Sequence, residues 1–439
     1  MEILSVMAFA TIFLGGLGFF GFKVSKIYRN IHLGRKEDRS GNVSDRLKVM
    51  GLVALGQSKM VVRPIAGILH VFIYLAFLIT QVELLEVMID GFTGSHRAVW
   101  HVLEHTALAP LYGLVINGIE FLSLLALVAT VVFLYRRNIM RLARFQKPEM
   151  KGWPSRDANI ILFGEIFLVM NIFLMNTADT ALNTSGTESF ILSGALSPLL
   201  EGVSADTLKI LERTGWWGHL IGIVGFMVYL PFSKHFHIFL AFPNVYFSNL
   251  KAKGKFSNLE SVTREVKLML DPSADPYAAA PADGEPASFG AKDATDLSWK
   301  QLMDAYSCTE CGRCTSECPA NQTGKLLSPR AIMMKTRDRI EEIGKGIDAN
   351  GSDFKDGKNL LHDYITPEEL WACTTCNACV QACPVNIDPL SIIVDLRRSL
   401  VMEESAAPAS LNVMFTNVEN NSAPWQFSPA DRLNWATEE

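Results

Sequence analysis

All eight cysteines of the chain fall into two copies of one pattern. The first reads Cys308-x2-Cys311-x2-Cys314-x3-Cys318-Pro319, and the second reads Cys373-x2-Cys376-x2-Cys379-x3-Cys383-Pro384. Three thiolates at two-residue gaps wrap three corners of an iron–sulfur cube, and the fourth, followed by proline, reaches over to the other cube. The spacing therefore assigns Cys308, Cys311, Cys314 and Cys383 to one [4Fe-4S] cluster, and Cys373, Cys376, Cys379 and Cys318 to a second. Four plus four leaves no thiol for a disulfide, a zinc site or a nucleophile. A disulfide-stapled module would also need an oxidising compartment and usually a short chain. The chemistry expected is the movement of single electrons.

Histidine supplies the other candidate ligands. Of nine histidines, His70, His219, His235 and His237 fall inside or at the ends of strongly apolar stretches, where an ionisable group is costly and marks a functional candidate. Haem b takes two imidazoles on opposite sides of the porphyrin, usually from two facing helices. On a continuous helix, positions 219 and 237 share a face about 27 Å apart, and 235 points nearly the opposite way. That phase favours His237 as the partner of His70. A kink at Pro231 would spoil the phase and keep His235 in play. A second-helix partner for His219 would fall near position 80, where the chain has Thr80 and Gln81, leaving only His101 and His105 within reach. A second haem at His219 therefore ranks below interfacial histidines. Glu120, Glu165 and Asn171 also lie in apolar stretches, as proton carriers toward a quinone or as groups satisfying neighbouring helices.

The elements that must position these residues are helices. Five stretches are long and apolar enough to span a bilayer: Ile3–Phe22, Ile65–Ile89, Leu111–Leu134, Ala158–Asn176 and Trp216–Phe242. The first has Glu2 before it and Lys23, Lys26 and Arg29 after it, the reverse of a secretory signal. Residues 23–63 hold ten Lys/Arg and residues 135–157 hold seven, whereas 90–110 holds only Arg97 and 177–215 only Lys209 and Arg213. Positive loops stay inside. The expectation is a multi-pass protein of the cytoplasmic membrane, N-terminus outside, with the cysteine-bearing part in the reducing cytoplasm. The net charge of −5, with no basic, aromatic-interleaved run, gives no reason to expect nucleic acid.

After the fifth stretch, Pro243 and Asn244 are expected to end the helix, followed by basic Lys251, Lys253 and Lys255. Residues 271–298, rich in Pro, Ala, Asp and Gly, read as linker. Residues 299–400 return to helical patterning, with Pro329 and Pro367-Glu368-Glu369 opening helices. The 54 residues between Cys318 and Cys373 suit an all-helical ferredoxin module. The fold class expected is all-α, divided into 1–242 (five-helix transmembrane domain), 243–298 (juxtamembrane segment and linker), 299–400 (two-cluster ferredoxin domain) and 401–439 (tail).

These motifs resemble known families. The five-helix part, entered N-out with histidines on its second and fifth helices, resembles the nitrate reductase gamma-subunit-like haem b domain. Residues 299–400, with Ala372-Cys373-Thr374-Thr375-Cys376-Asn377-Ala378-Cys379 and Cys383-Pro384-Val385, resemble the helical ferredoxin subunit of heterodisulfide reductases and the iron–sulfur subunits of glycerol-3-phosphate and glycolate dehydrogenases. Such relatives usually continue into cysteine-rich CCG domains holding a catalytic iron–sulfur site, but this chain has no adjacent Cys-Cys pair. Ala-Pro-Trp425-x6-Arg432-x2-Trp435 resembles the bridge that precedes those domains. The resemblance implies an electron conduit between the quinone pool and a cytosolic partner, either a separate CCG-domain protein docked at Trp425, Arg432 and Trp435 or an electron-transfer flavoprotein. The alternatives are the anchor subunit of a glycerol-3-phosphate- or glycolate-type dehydrogenase, and a haem-free membrane tether for a ferredoxin scaffold.

Overall fold

A computed structural model describes residues 2–182, 190–252, 254–273 and 289–437. Among them the chain is all-α, with no β-strand and only two isolated bridges, Arg35 with Ser298 and Leu361 with Ile365. Five long apolar helices dominate the N-terminal half: α1 (Glu2–Ile31), α2 (Pro64–Thr93, interrupted at Thr80), α3 (Ala109–Leu134), α4 (Trp153–Leu182) and α5 (Ala205–Tyr229). Each satisfies its own backbone hydrogen bonds, which a segment surrounded by lipid must do. Leu, Ile, Phe and Val side chains stand exposed along all five, as expected where the surrounding solvent is hydrocarbon.

The helices close into a ring. α1 packs on α5 and on the second half of α2, the first half of α2 packs on α3, α3 packs on α4, and α4 packs most extensively on α5. In that order α2 and α5 are not neighbours. The tight α4–α5 seam depends on small residues. A Cβ at Gly215 would come within 2.6 Å of the Met175 backbone nitrogen, and one at Gly218 within 2.1 Å of Asn171 Oδ1.

The fifth helix departs from expectation. It ends at Tyr229, and two 3-10 turns, Leu230–Phe232 and Lys234–Phe236, follow before the short helix α6 (His237–Tyr246). Pro231 lies in the first turn, where it cannot continue the helical ladder. The phase argument therefore fails: His235 and His237 are not on α5 and do not point apart, their ring centroids being 5.3 Å apart with the planes at 88°. Pro243 does not end a helix either; it lies within α6.

The cysteine-bearing half packs against one end of the bundle. It is built from α7 (Trp299–Ser307), α8 (Pro329–Asn350), α9 (Pro389–Met402) and short turns around a core that includes Leu302, Ile332, Ile340, Ile393 and Leu396. Pro329 follows the N-cap Ser328, whose side chain accepts from Ala331 N, and Pro367 opens a short helix at Pro367–Trp371. Residues 289–297, part of the stretch read as linker, are ordered there: Ala291, Ala294 and Leu297 are fully buried in this core. Residues 274–288 of that stretch, and Lys253, lie outside the described residues. A last helix, α10 (Ala409–Asn421), and a 3-10 segment, Pro429–Ala436, form the tail.

Candidate electron-transfer site

Both cysteine loops have the same backbone course. Glu310 and Gly312 adopt left-handed conformations between Cys308 and Cys314, and Thr375 and Asn377 do so at the matching places between Cys373 and Cys379. Alternating handedness turns successive peptide N–H groups to one side, making an anion-binding concavity. Thr375 N lies 3.4 Å from Cys373 Sγ, and Ile387 N lies 3.3 Å from Cys383 Sγ. Gly312 is required twice over, since its φ is +73° and a Cβ would meet Arg330 Nη1 at 2.5 Å.

The structure brings Cys308, Cys311, Cys314 and Cys383 around one cavity, closed by Arg313, Arg330, Met333 and Pro384. Cys318 leaves its own loop and lies within electrostatic reach of Cys373 and Cys379. All eight thiols are free. Four sulfurs around one cavity suit a group larger than a single metal ion. Burial pushes the Cys308 thiol up to about 11 and the Cys383 thiol up to about 12; iron must replace those protons. These donors fit a [4Fe-4S] cube. Cys376 is exposed, so the second site faces solvent.

The first site faces the membrane helices. Arg313 donates to the Lys59 and Met60 carbonyls at 3.0 and 3.2 Å, and Lys59 Nζ donates to the Val380 and Cys383 carbonyls at 3.2 Å each. Arg63, one residue before α2, pairs with Glu317 at 2.6 Å. Arg330, fully buried, pairs with Glu149 at 2.7 Å and donates to the Arg144 carbonyl. The two basic loops and the cysteine loops thus meet at one end of the bundle, and the loop cations also carry out the docking. Positive charge beside a cluster held by four thiolates stabilises its reduced, more negative state.

Glu310, buried in the first cysteine loop, reaches α8 and the turn after α5. Its carboxylate lies 2.5 Å from Lys234 Nζ and 2.7 Å from Arg337 Nη2. Burial alone would raise this carboxyl, but Lys234 and Arg337 outweigh it and hold it below its ordinary value. The backbone of the same Lys234 meets His237: Nδ1 lies 3.1 Å from the Lys234 carbonyl. A carbonyl can only accept, so Nδ1 carries the proton and Nε2 is left free as a ligand.

His70 lies in the second turn of α2, and its Nδ1 is buried without a hydrogen-bond partner. It is an electrostatic neighbour of His237, His235 and Arg313. His70, orphaned at Nδ1, and His237, unprotonated at Nε2, lie within electrostatic reach of each other, a donor pair of the kind a haem b would take. His235 belongs to the same group, with Nε2 3.8 Å from Glu165 Oε1. His219 is placed apart from them, donating from Nδ1 to the Leu168 carbonyl at 3.1 Å. Its suggested partners do not turn toward it: His101 and His105 are exposed beside Glu104 at the bundle's far end. Glu120 also lies there, bonded to Ser193 and the backbone of Leu192, and Asn171 donates to the Phe167 carbonyl.

In the tail, Trp425 and Trp435 are 58% and 77% exposed, and Arg432 folds the segment back by donating to the Asn421 and Ser422 carbonyls. Sequence reasoning missed Lys234, Glu310 and Lys59, whose partners are distant in the chain. It also missed Glu83, Glu86 and Asp90, although their spacing of three and four residues sets them on one helical face.

Residues 307–387, which span both cysteine loops, match the family of the 4Fe-4S dicluster domain. Over 93% of its length the chain is 28% identical to a probable iron-sulfur-binding oxidoreductase FadF of Bacillus subtilis, covering 57% of that protein. It is 27% identical, over 91% of its length, to the EtfAB:quinone oxidoreductase of Syntrophomonas wolfei, covering 55% of it. A shorter match, 34% identical over 36% of the chain, covers 25% of a probable membrane-anchored ferredoxin from Chromohalobacter salexigens. The chain spans just over half the length of the first two relatives. No solved structure gives a significant match. Together the dicluster domain and these relatives support [4Fe-4S] clusters in the cysteine-bearing half, and with them a part in electron transfer.

Proposed function

We propose that the chain is a membrane electron-transfer subunit linking a cytosolic redox partner to the quinone pool. When bound, two [4Fe-4S] clusters and haem b supply one-electron steps between a two-electron donor and a two-electron carrier. Cys308, Cys311, Cys314 and Cys383 hold the membrane-facing cluster; Cys373, Cys376, Cys379 and Cys318 hold the solvent-facing one. His70 and His237 are the haem ligands, with His235 beside them, and a second haem at His219 lacks an opposing histidine. The domain division is 1–242, 243–298, 299–400 and 401–439, except that 289–297 pack into the ferredoxin core, with the N-terminus outside and the ferredoxin domain in the cytoplasm, as the loop charges favour.

The observation that carries this reading is the bridge through Lys234. Its side chain holds Glu310 of the first cysteine loop and its carbonyl holds His237, so one residue joins the first cysteine loop to a proposed haem ligand. The partners are an electron-transfer flavoprotein, as the name of the Syntrophomonas wolfei relative indicates for that protein, and a CCG-domain iron–sulfur protein seated on the exposed tail. Iron and acid-labile sulfide analysis of the purified protein, with a reduced-minus-oxidised spectrum, tests the cofactor set. Two cubes' worth of iron with a haem b α-band is expected; iron without the band would leave only the tethered ferredoxin.

A further inference from the structure

At the end of the bundle away from the cysteines, the membrane helices bury an unusual concentration of charge. Glu83, Glu86 and Asp90 line one face of α2, joined by Glu120 from α3 and Asp179 from α4. The buried cation among them is Arg97, which lies 3.6 Å from Glu86 Oε2 and 3.4 Å from Asp179 Oδ2 and donates to Asn176 Oδ1 at 2.6 Å. Asp90 accepts from the backbone of Arg97 and Ala98, and Glu86 accepts from the Tyr112 hydroxyl.

Glu83 differs from the rest. It is 3% exposed, and neither carboxylate oxygen has a hydrogen-bond partner of normal geometry. The groups that face it are Arg97, Glu86, Glu120 and the Asn176 amide. An ionised carboxylate there would be buried beside two other acids, with Arg97 and the Asn176 amide near it but neither bonded to it at normal geometry, so burial disfavours the charged form. Its low-energy form carries a proton.

From Glu83 the network runs outward. Glu86 is one turn along α2, Arg97 joins it to Asp179, and His96 Nε2 lies 3.1 Å from Asp179 Oδ1. His96 is 34% exposed, and its Nδ1 lies 3.1 Å from Arg213 Nη2 at the bundle surface. Arginine does not release its proton, so Arg97 only holds Glu86 and Asp179 beside each other; the proton passes between the two carboxylates over a bridging water and between Asp179 and His96 directly.

We propose that Glu83 is the inner terminus of a proton path that opens at His96, on the membrane face opposite the iron–sulfur clusters. The proposal rests on the quinone reading above. A quinone that takes two electrons from the cysteine-bearing end also takes two protons to become quinol. Glu83 gives each proton in turn and is recharged through Glu86, Asp179 and His96 from the far aqueous phase. Quinol oxidation runs the same path outward.

Two measurements on the purified whole protein test it. Reduced-minus-oxidised infrared difference spectra should show a protonated carboxylic acid band that shifts in D2O and disappears in Glu83→Gln. No such band, or one retained in that variant, would overturn the assignment; neither result depends on quinone. In proteoliposomes carrying a trapped pH dye and menaquinone, with the cysteine domain outward and reduced by dithionite, the lumen should turn alkaline during turnover. His96→Phe, at the exposed mouth, should slow that change by about a hundredfold while both cluster signals keep their amplitude. Proton uptake from the outer medium, or an unchanged rate in His96→Phe, would refute the path. A wild type that reduces no quinone but shows the Glu83 band would refute the quinone reading alone.

Discussion

Lys234 Nζ sits 2.5 Å from Glu310 Oε2 while the Lys234 carbonyl takes the Nδ1 proton of His237. The side chains of Lys234 and Glu310 are 9% and 3% exposed, so removing Lys234 leaves the buried Glu310 carboxylate with Arg337 as its remaining cation. Lys234→Met should weaken the packing of the cysteine domain on the bundle by about 1–3 kcal/mol, the loss of one charged hydrogen bond. It should also alter the signal of the membrane-facing cluster more than that of the solvent-facing one. Thermal denaturation, with electron paramagnetic resonance of the reduced protein, reads both effects. Equal changes in both cluster signals would argue against a local link.

His70→Ala should abolish the haem b α-band and leave both iron–sulfur signals in place. The orphaned His70 Nδ1 gives this imidazole no structural hydrogen bond to lose, so the bundle should still fold. His219→Ala should leave the same band unchanged. An intact haem spectrum in the His70 variant would sink the ligand assignment.

The tail offers a third test. Trp425→Ala with Trp435→Ala removes exposed aromatic surface that would otherwise be a liability. The double variant should keep its clusters and lose its cytosolic iron–sulfur partner on co-purification. Retention of that partner would place the docking surface elsewhere.

A fourth prediction concerns acid. Arg339 pairs with Asp356 at 2.6 Å and with Asp293 at 2.7 Å, tying the segment before α7 to α8. Its hydrogen bond holds the Asp356 carboxyl down to about 2 from an ordinary 3.8. A depressed carboxyl contributes stability that is fully present above the unfolded value and is lost as pH falls through the folded value. The contribution should therefore persist down to about pH 4 and fade toward pH 2. Arg339→Met should remove that portion of the acid dependence, as read by denaturation midpoints across this window.

Much of this arrangement was legible in the cysteine spacing and in the apolar runs. Cys383 crossing to the first cavity follows from the x2, x2, x3 pattern, and the five helices follow from hydrocarbon-length segments. The end of the fifth helix was half legible: Pro231 marked where a kink could fall, but the apolar run continues through it into α6 and masks the break in the backbone. Composition also misplaced residues 289–297: small residues that suit a linker are equally able to fill a tight core, as Ala291 and Ala294 do. The Lys234–Glu310 pair joins positions 76 apart in sequence, and no local pattern announces such a contact. The face of Glu83, Glu86 and Asp90 was visible in principle, hidden by treating their helix as uniformly apolar.

The most direct test of the central claim follows haem b optically after anaerobic mixing of dithionite-reduced protein with menaquinone. The wild type should show an α-band that bleaches as quinol appears, together with reoxidation of both clusters, while His237→Ala keeps its clusters reduced. Clusters that reoxidise equally fast in His237→Ala, or a wild type with no band at all, would contradict a route from the cysteine sites through the membrane histidines to quinone.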